Sequence, residues 1–330
     1  MDILQDHLAR TRASGGVFAR SVVRPPWGLR LPGAIQLSLH TVVRGRAWLW
    51  LDDPKAAVEL TPGDLCLVLG GSDHHIAHEP DPTVCLPHDE FLARHPDVDD
   101  HAATVFLCGA YRFAGDVGRS LIQALPPLLL LRAAAHDPLH DVIALLSREL
   151  GTPAAGQQTV LDRLLDVLLV LAVRAAYDRS PTAPRWYQAA ADPRLSRALH
   201  AIHAEADHPW TVPELASLSG LSRPAFARNF ERSLGQAPLR YLTDWRMTLA
   251  RDHLRAAELT LDQIARRTGY TSPNAFAAAF RRHHGKPPGQ WREDELATPP
   301  EPVHRGPVTP RPTRRAPGSG SAAATPPPPA

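Results

Sequence analysis

Three patterns of apolar and polar positions follow one another along the chain. Between about Val17 and Thr83, short β-branched or aromatic runs (GVFARSVV, QLSLHTVV, AWLWLD, AVELT, LCLVLG) alternate with Pro, Gly and Asp turn signals. That is the pattern of strands in a small all-β sandwich or barrel. In AWLWLD the period of two puts Trp48 and Trp50 on one face and Leu49 and Leu51 on the other. Residues 81–105 are polar and rich in Pro, His and Asp, which reads as a long loop, and VFLCGAYRF then offers another strand. From Gly118 to Tyr177 the spacing becomes helical. Leu161, Leu164, Leu165, Leu168 and Ala172 share one face, while Val167, Val170, Leu171 and Val173 cover much of the rest. A helix apolar on several faces is expected to be buried, here between subunits. Residues 178–191 read as an interdomain linker. Beyond about Leu296, 11 of the last 34 residues are proline, a composition that predicts disorder.

The most informative pattern is a repeat inside 209–292. VPELASLSGLSRPAFARNFERSLGQAP is followed by LDQIARRTGYTSPNAFAAAFRRHHGKPP. Ala216 and Gly220 match Ala265 and Gly269 at an offset of 49, and after one inserted residue the offset is 50. There Ser222, Ala225, Phe226, Phe230, Arg232, Gly235 and Pro238 match Ser272, Ala275, Phe276, Phe280, Arg282, Gly285 and Pro288. Each copy carries the chemistry of a helix-turn-helix. A short helix ends at a glycine suited to a left-handed cap (Gly220, Gly269), and a serine then N-caps the next (Ser222, Ser272). The paired phenylalanines bury one side of that second helix. Its other side faces outward: Arg223, Pro224, Ala227, Arg228 and Glu231 in one copy, and Pro273, Asn274, Ala277, Ala278 and Arg281 in the other. Between the copies, PLRYLTDWRMTLARDHLRAA has helical spacing, with Leu239, Leu242, Trp245, Met247, Leu249, His253 and Leu254 as its apolar surface. A helix of ~20 residues spans ~30 Å, close to the ~34 Å between successive major-groove faces of one duplex.

Charge agrees with that reading. Residues 192–293 hold 15 Lys/Arg against 10 Asp/Glu, a net of +5, whereas residues 1–191 hold 17 against 21, a net of −4. The positive balance sits where phosphates would be met. No run of ~20 apolar residues is present for a membrane span. The N-terminus MDILQDHLARTRASGG has no apolar core of a signal peptide. Cys66, Cys85 and Cys108 form no CxxC pair, so reduced thiols in a cytoplasm are expected.

ELASLSGLSRPAFARNFERSLGQAPLRYLTDWRM and QIARRTGYTSPNAFAAAFRRHHGKPPGQWR resemble the two-unit DNA-binding domain of the AraC/XylS regulator family, over residues 192–293. PPWGLRLPG, HTVVRGRAWLWL, LTPGDLCLVLGGSDHHIAH and FLCGAYRF are similar to the cupin-like sensor domain of one branch of that family. The resemblance implies double-stranded DNA as partner, contacted by Ser222, Arg223, Pro224, Ala227 and Arg228 in the first unit. In the second unit it implies Ser272, Pro273, Asn274, Ala278, Arg281, Arg282 and Lys286. It implies as well a small-molecule effector in the barrel, a homodimer, and RNA polymerase as a further partner of an activator. One departure stands out: where the first unit has Arg228, the second has Ala278. Alanine cannot hydrogen-bond a base, so the second unit is expected to position on phosphates through Arg281, Arg282 and Lys286 more than to read sequence.

His40, His74, His75, His78 and His88 lie near the strands. A rival reading makes His40 with His74 or His75 the ligands of a cupin metal, giving a metalloenzyme with an accessory helical domain. Such a site needs paired His and a Glu on one early strand, and LSLHTVVRG offers only His40. No catalytic residue, metal or cofactor is therefore expected, and His40, Trp48, Trp50 and His74 are the candidates for an effector pocket. The expected molecule is an α+β multidomain regulator. Residues 1–117 would form a cupin-like effector-sensing β-barrel and 118–191 a helical dimerisation segment and linker. Residues 192–293 would form the all-α tandem helix-turn-helix domain, and 294–330 a Pro-rich tail.

Overall fold

The computed structural model describes residues 3, 4, 7, 12–95, 103–132, 134, 137–151 and 154–297. The tail from 298 onward, with the disorder expected of it, lies outside the described residues. The alternating runs form strands as expected: β1 (Arg12–Val23), β3 (Leu37–Arg44), β4 (Ala47–Trp50), β5 (Val58–Leu60), β6 (Asp64–Leu69) and β9 (Thr104–Ala114). Three further strands are too short or too polar to signal themselves: β2 (Gly28–Leu31), β7 (His74–Ala77) and β8 (Leu86–Pro87). The strand β10 (Leu128–Arg132) falls where helix was expected. LLLLR is uniformly apolar and so has no period of its own, and Pro126 and Pro127 end the preceding helix. It pairs antiparallel with β6, from Leu128 opposite Val68 to Arg132 opposite Asp64. The loop expected over 81–105 contains a helix, α1 (His88–Arg94), which buries Phe91.

The strands make two five-stranded sheets, ordered β1-β9-β3-β6-β10 and β5-β4-β7-β2-β8. Their inner faces share one core: Trp27, Leu29, Leu49 and Ile76 from one sheet, with Val42, Cys66, Val68 and Phe106 from the other. Trp27 stacks on Phe106 across that interior. The outer face of the first sheet carries Leu37, Leu39, Leu65, Leu67, Leu107 and Tyr111. It is covered by α2 (Gly115–Gln123), α3 (Pro138–Gly151) and α4 (Gln157–Arg179). The Tyr111 hydroxyl donates to the Leu165 carbonyl at 2.9 Å and ties sheet to helix. On α4, Leu161, Leu165, Leu168, Ala172 and Val173 are buried against this face. Leu168, fully buried, thus packs within its own chain, while Val160 and Val167, seven residues apart, are 41% and 45% exposed.

One polar chain crosses the sandwich interior. His40 on β3 sits in register between Cys66 of β6 and Cys108 of β9. Its Nδ1 lies 3.0 Å from Cys108 Sγ, and its Nε2 lies 2.9 Å from Nε2 of His74, which reaches over from the other sheet. Burial, reinforced by His74, holds His40 well below the usual imidazole range. Burial, then His75, lowers His74 to about 4 against the opposing pull of Asp73, and burial pushes the Cys108 thiol up. Both rings are therefore neutral and the thiol protonated. In the order that uses the thiol as donor, the Cys108 S–H donates a hydrogen bond to His40 Nδ1, and His40 Nε2–H donates to His74 Nε2.

The pair makes stability depend on pH. Because the folded values lie below the ordinary 6.5, the unfolded chain takes up protons first as pH falls. Stability is complete above about pH 6.5 and declines toward pH 4, by at most about 1.4 kcal/mol per pH unit for each histidine. Melting temperatures measured across this range should fall with acidification, and His74→Gln should make the decline shallower. Equal slopes for variant and wild type would show that the pair does not govern acid stability.

Candidate DNA-binding interface

The C-terminal helices are α5 (Arg185–Ala190), α6 (Pro193–Ala204), α7 (Val212–Leu218), α8 (Arg223–Leu234), α9 (Pro238–Ala256), α10 (Leu261–Arg267), α11 (Pro273–His284) and α12 (Pro288–Ala297). The helix α5 forms inside the stretch that reads as a linker. The first helix of each unit opens with a capping box, Thr211 with Glu214 in α7 and Thr260 with Gln263 in α10. These boxes extend the repeat upstream and were legible as T-x-x-E and T-x-x-Q. Each turn passes through a glycine at positive φ, +63° at Gly220 and +74° at Gly269. Ser272 caps α11 by accepting from the Ala275 N–H at 3.2 Å. Ser222 occupies the matching position on α8, but its side chain makes no cap hydrogen bond.

Each unit has its own aromatic core. Phe226 and Phe230 pack with Leu199, Leu215 and Leu234 in the first, and Phe276 and Phe280 with Ile264 and Trp291 in the second. The helix α9 belongs to both. Leu242, Trp245 and Leu249 enter the first core, and Met247, Ala250 and Leu254 the second. Of the apolar residues expected along it, Leu239 is instead 44% exposed. Arg246 adds a polar tie: its guanidinium donates to the carbonyls of Ala206 at 2.6 Å and His208 at 2.8 Å in the first unit. The same guanidinium presses on the second turn, with Nη2 against Gly269. Left-handed backbone disfavours a side chain at that position, and the Asp207 carbonyl oxygen, 2.8 Å from where a Cβ would stand, leaves it no room.

Opposite the phenylalanines, α8 leaves Arg223, Pro224 and Arg228 exposed and Ala227 half-buried, with Ser222 exposed at its start. On α11, Pro273, Asn274, Ala278, Arg281 and Arg282 are exposed, with Ser272 half-buried. Lys286 is engaged with Asp294 at 2.5 Å. The outward faces thus differ as the sequences do, cationic around Arg228 and methyl-lined around Ala278.

The other candidate residues divide. His40 and His74 meet in the sandwich interior. Trp48 and Trp50 lie on the opposite face of their sheet, because Ala47 and Leu49 are the β4 residues that enter the core and Trp50 stacks on His75 instead. The four do not line one cavity. Among the described residues, no group of three or more His, Cys, Asp or Glu is arranged to hold a metal ion. No described helix is long and apolar enough to cross a membrane.

Comparison with known proteins matches both halves. A family described as Cupin matches residues 2–178, and one described as Helix-turn-helix domain matches residues 215–294. A putative AraC-like transcription regulator of Streptomyces antibioticus is 30% identical, covering 90% of this chain and 100% of its own length. One of Streptomyces lividans is 29% identical, over 89% of this chain and 98% of its own. The HTH-type transcriptional regulator AlkR of Acinetobacter baylyi is 27% identical, over 81% and 91% respectively. With a cupin domain leading into two helix-turn-helix units on a shared helix, this chain belongs to the AraC-like transcription regulators.

Proposed function

We propose that this chain is a sequence-specific transcription regulator of duplex DNA whose N-terminal domain responds to a small effector. The observation that carries the reading is the seating of two recognition helices, α8 and α11, on one connector whose 19 residues span about 28 Å. That length suits two successive major grooves of one duplex. The relatives' names point the same way and away from the rival metalloenzyme. DNA contacts are assigned to Ser222, Arg223, Pro224, Ala227 and Arg228 in one groove. In the other they are assigned to Ser272, Pro273, Asn274, Ala278, Arg281, Arg282 and, once freed from Asp294, Lys286. For the effector, His40 and His74 are the better candidates because they face each other in the interior; Trp48 and Trp50 would act only through the outer face. A homodimer through the α4 face that bears Val160 and Val167, work in the cytoplasm, and contact with RNA polymerase where the regulator activates complete the proposal.

Three outcomes follow. The full chain should bind duplex DNA with a log–log salt slope of about −0.9 per phosphate contacted; binding that ignores salt, or none at low salt, would refute the assignment. Arg228→Ala should cost about 1–3 kcal/mol if its contact is bidentate to guanine, and it should relax base preference in a site selection. Ala278→Gly should keep the preference and lose only about 1 kcal/mol of helix propensity; the reverse pattern would exchange the units' roles. For self-association the informative position is Val167, since Leu168 is buried within the chain. Val167→Glu should yield folded monomer with weaker binding to paired sites, where linkage is worth about 10²–10⁴ in avidity. Wild-type chain that sediments as a monomer at tens of micromolar would remove the dimer.

A further inference from the structure

The first turn of α2 meets α9 across 136 residues of sequence. Asp252 of α9 accepts the backbone N–H of Asp116 at 2.5 Å and that of Val117 at 3.4 Å. A carboxylate from the DNA-binding domain therefore caps a helix of the N-terminal domain, satisfying donors that the helix itself leaves open. The Asp116 carboxylate in turn pairs with Arg251 and, at 3.3 Å, with Arg255. Arg255 also reaches Asp252 at 3.3 Å and Glu295 of α12 at 2.9 Å. Asp116 is only 10% exposed and Arg255 only 23%, so salt screens the cluster less than it would a surface pair. Gly115 makes the approach feasible. Its φ is +89° and a Cβ there would stand 2.6 Å from Asp252 Oδ1. Two residues on, Val117 is fully buried in the core of the first unit. One turn of α2 thus touches both units: the first through Val117, the second through Asp116, Arg255 and Glu295.

What this contact holds together is a domain pair of opposite charge, net −4 over 1–191 and +5 over 192–293. While it is closed, Arg251 and Arg255 are paired with carboxylates and the net-negative domain is held against the net-positive one. Both effects weaken attraction to a polyanion. We propose that the Asp116–Asp252 clasp is an autoinhibitory contact, and that its opening raises the affinity of the tandem units for duplex DNA. The proposal rests on the DNA-binding reading above. The clasp is also placed to respond to the sandwich interior, because β9 carries Cys108, the hydrogen-bond partner of His40, and runs on to Gly115 seven residues later.

The test uses the full chain, a random-sequence duplex at low ionic strength, and amide hydrogen exchange. Gly115→Ala forces the clasp open without changing charge, Asp116→Asn removes its ion pairs, and Asp252→Asn weakens the cap, so the result does not hang on one variant folding. Glu59→Gln on the edge strand β5 controls for the gain of one unit of charge. Each clasp variant should bind the duplex at least about fivefold more tightly, the lower end of typical coupling between sites, while Glu59→Gln stays near wild type. The Asp116 and Val117 amides should exchange faster in Asp252→Asn. If wild type binds duplex and the folded clasp variants bind no better, or if those amides are unprotected in wild type, the autoinhibitory clasp is wrong and the DNA-binding reading stands. If neither wild type nor any folded clasp variant binds the duplex, both fall together.

Discussion

Everything in the C-terminal half depends on one helix completing two hydrophobic cores. At about 100° per residue, the stripe of Leu242, Trp245 and Leu249 and the stripe of Met247, Ala250 and Leu254 lie about 140° apart on α9. The two units are therefore packed against nearly opposite sides of a single rod, and neither core closes without it. Arg251, Asp252 and Arg255 occupy the third side, about 110° from each stripe by the same geometry. That leaves the connector nearly fully committed: two sides to the units it joins, the third to the N-terminal domain. A change of pitch or register in α9 would be felt simultaneously by both recognition helices and by the clasp.

The N-terminal half is organised by the alternation of strand faces. Leu39 looks toward α3 and α4 while His40 looks into the sandwich, and the same alternation sends Leu49 inward and Trp50 outward. An interior filled by Trp27, Phe91 and Phe106 has one polar feature spanning it, the Cys108–His40–His74 chain. Neutral, buried and internally satisfied, that chain is held by the same burial that would make a charge within it costly.

Much of this was legible in the sequence, and the reasons for the misses are physical. The repeat was visible because a helix-turn-helix is a local device: glycine, cap and paired phenylalanines all lie within about 25 residues. Six strands announced themselves by alternation. The run LLLLR did not, since a strand that is apolar throughout has no periodicity to separate it from helix. The apolar excess of α4 reads from sequence as burial between subunits, whereas its Leu161, Leu165 and Leu168 face is covered by the chain's own sheet, because periodicity tells which residues share a face and not what covers it. His40 and His74 are grouped from sequence as candidates for one site together with Trp48 and Trp50; which of the four meet depends on how two sheets stack. Asp116 and Asp252 carried no signal at all. An acid on a helix is usually solvated, and nothing local marks one whose partner is 136 residues away.

The left-handed turn at Gly115 has a consequence for how such proteins could be assembled from parts. Grafting this cupin domain onto another tandem unit would deliver a glycine and an aspartate to a connector that has to present an acid flanked by basic residues one position before and three after it. Without that triplet, the incoming helix would begin on open N–H groups, and the Asp116 carboxylate would keep only Arg119 of its own helix as a partner at a seam between strangers. The two halves are matched at a junction outside both the sandwich interior and the outward faces of α8 and α11, so recombination that preserved each half intact would still produce a chimera whose parts no longer fit each other.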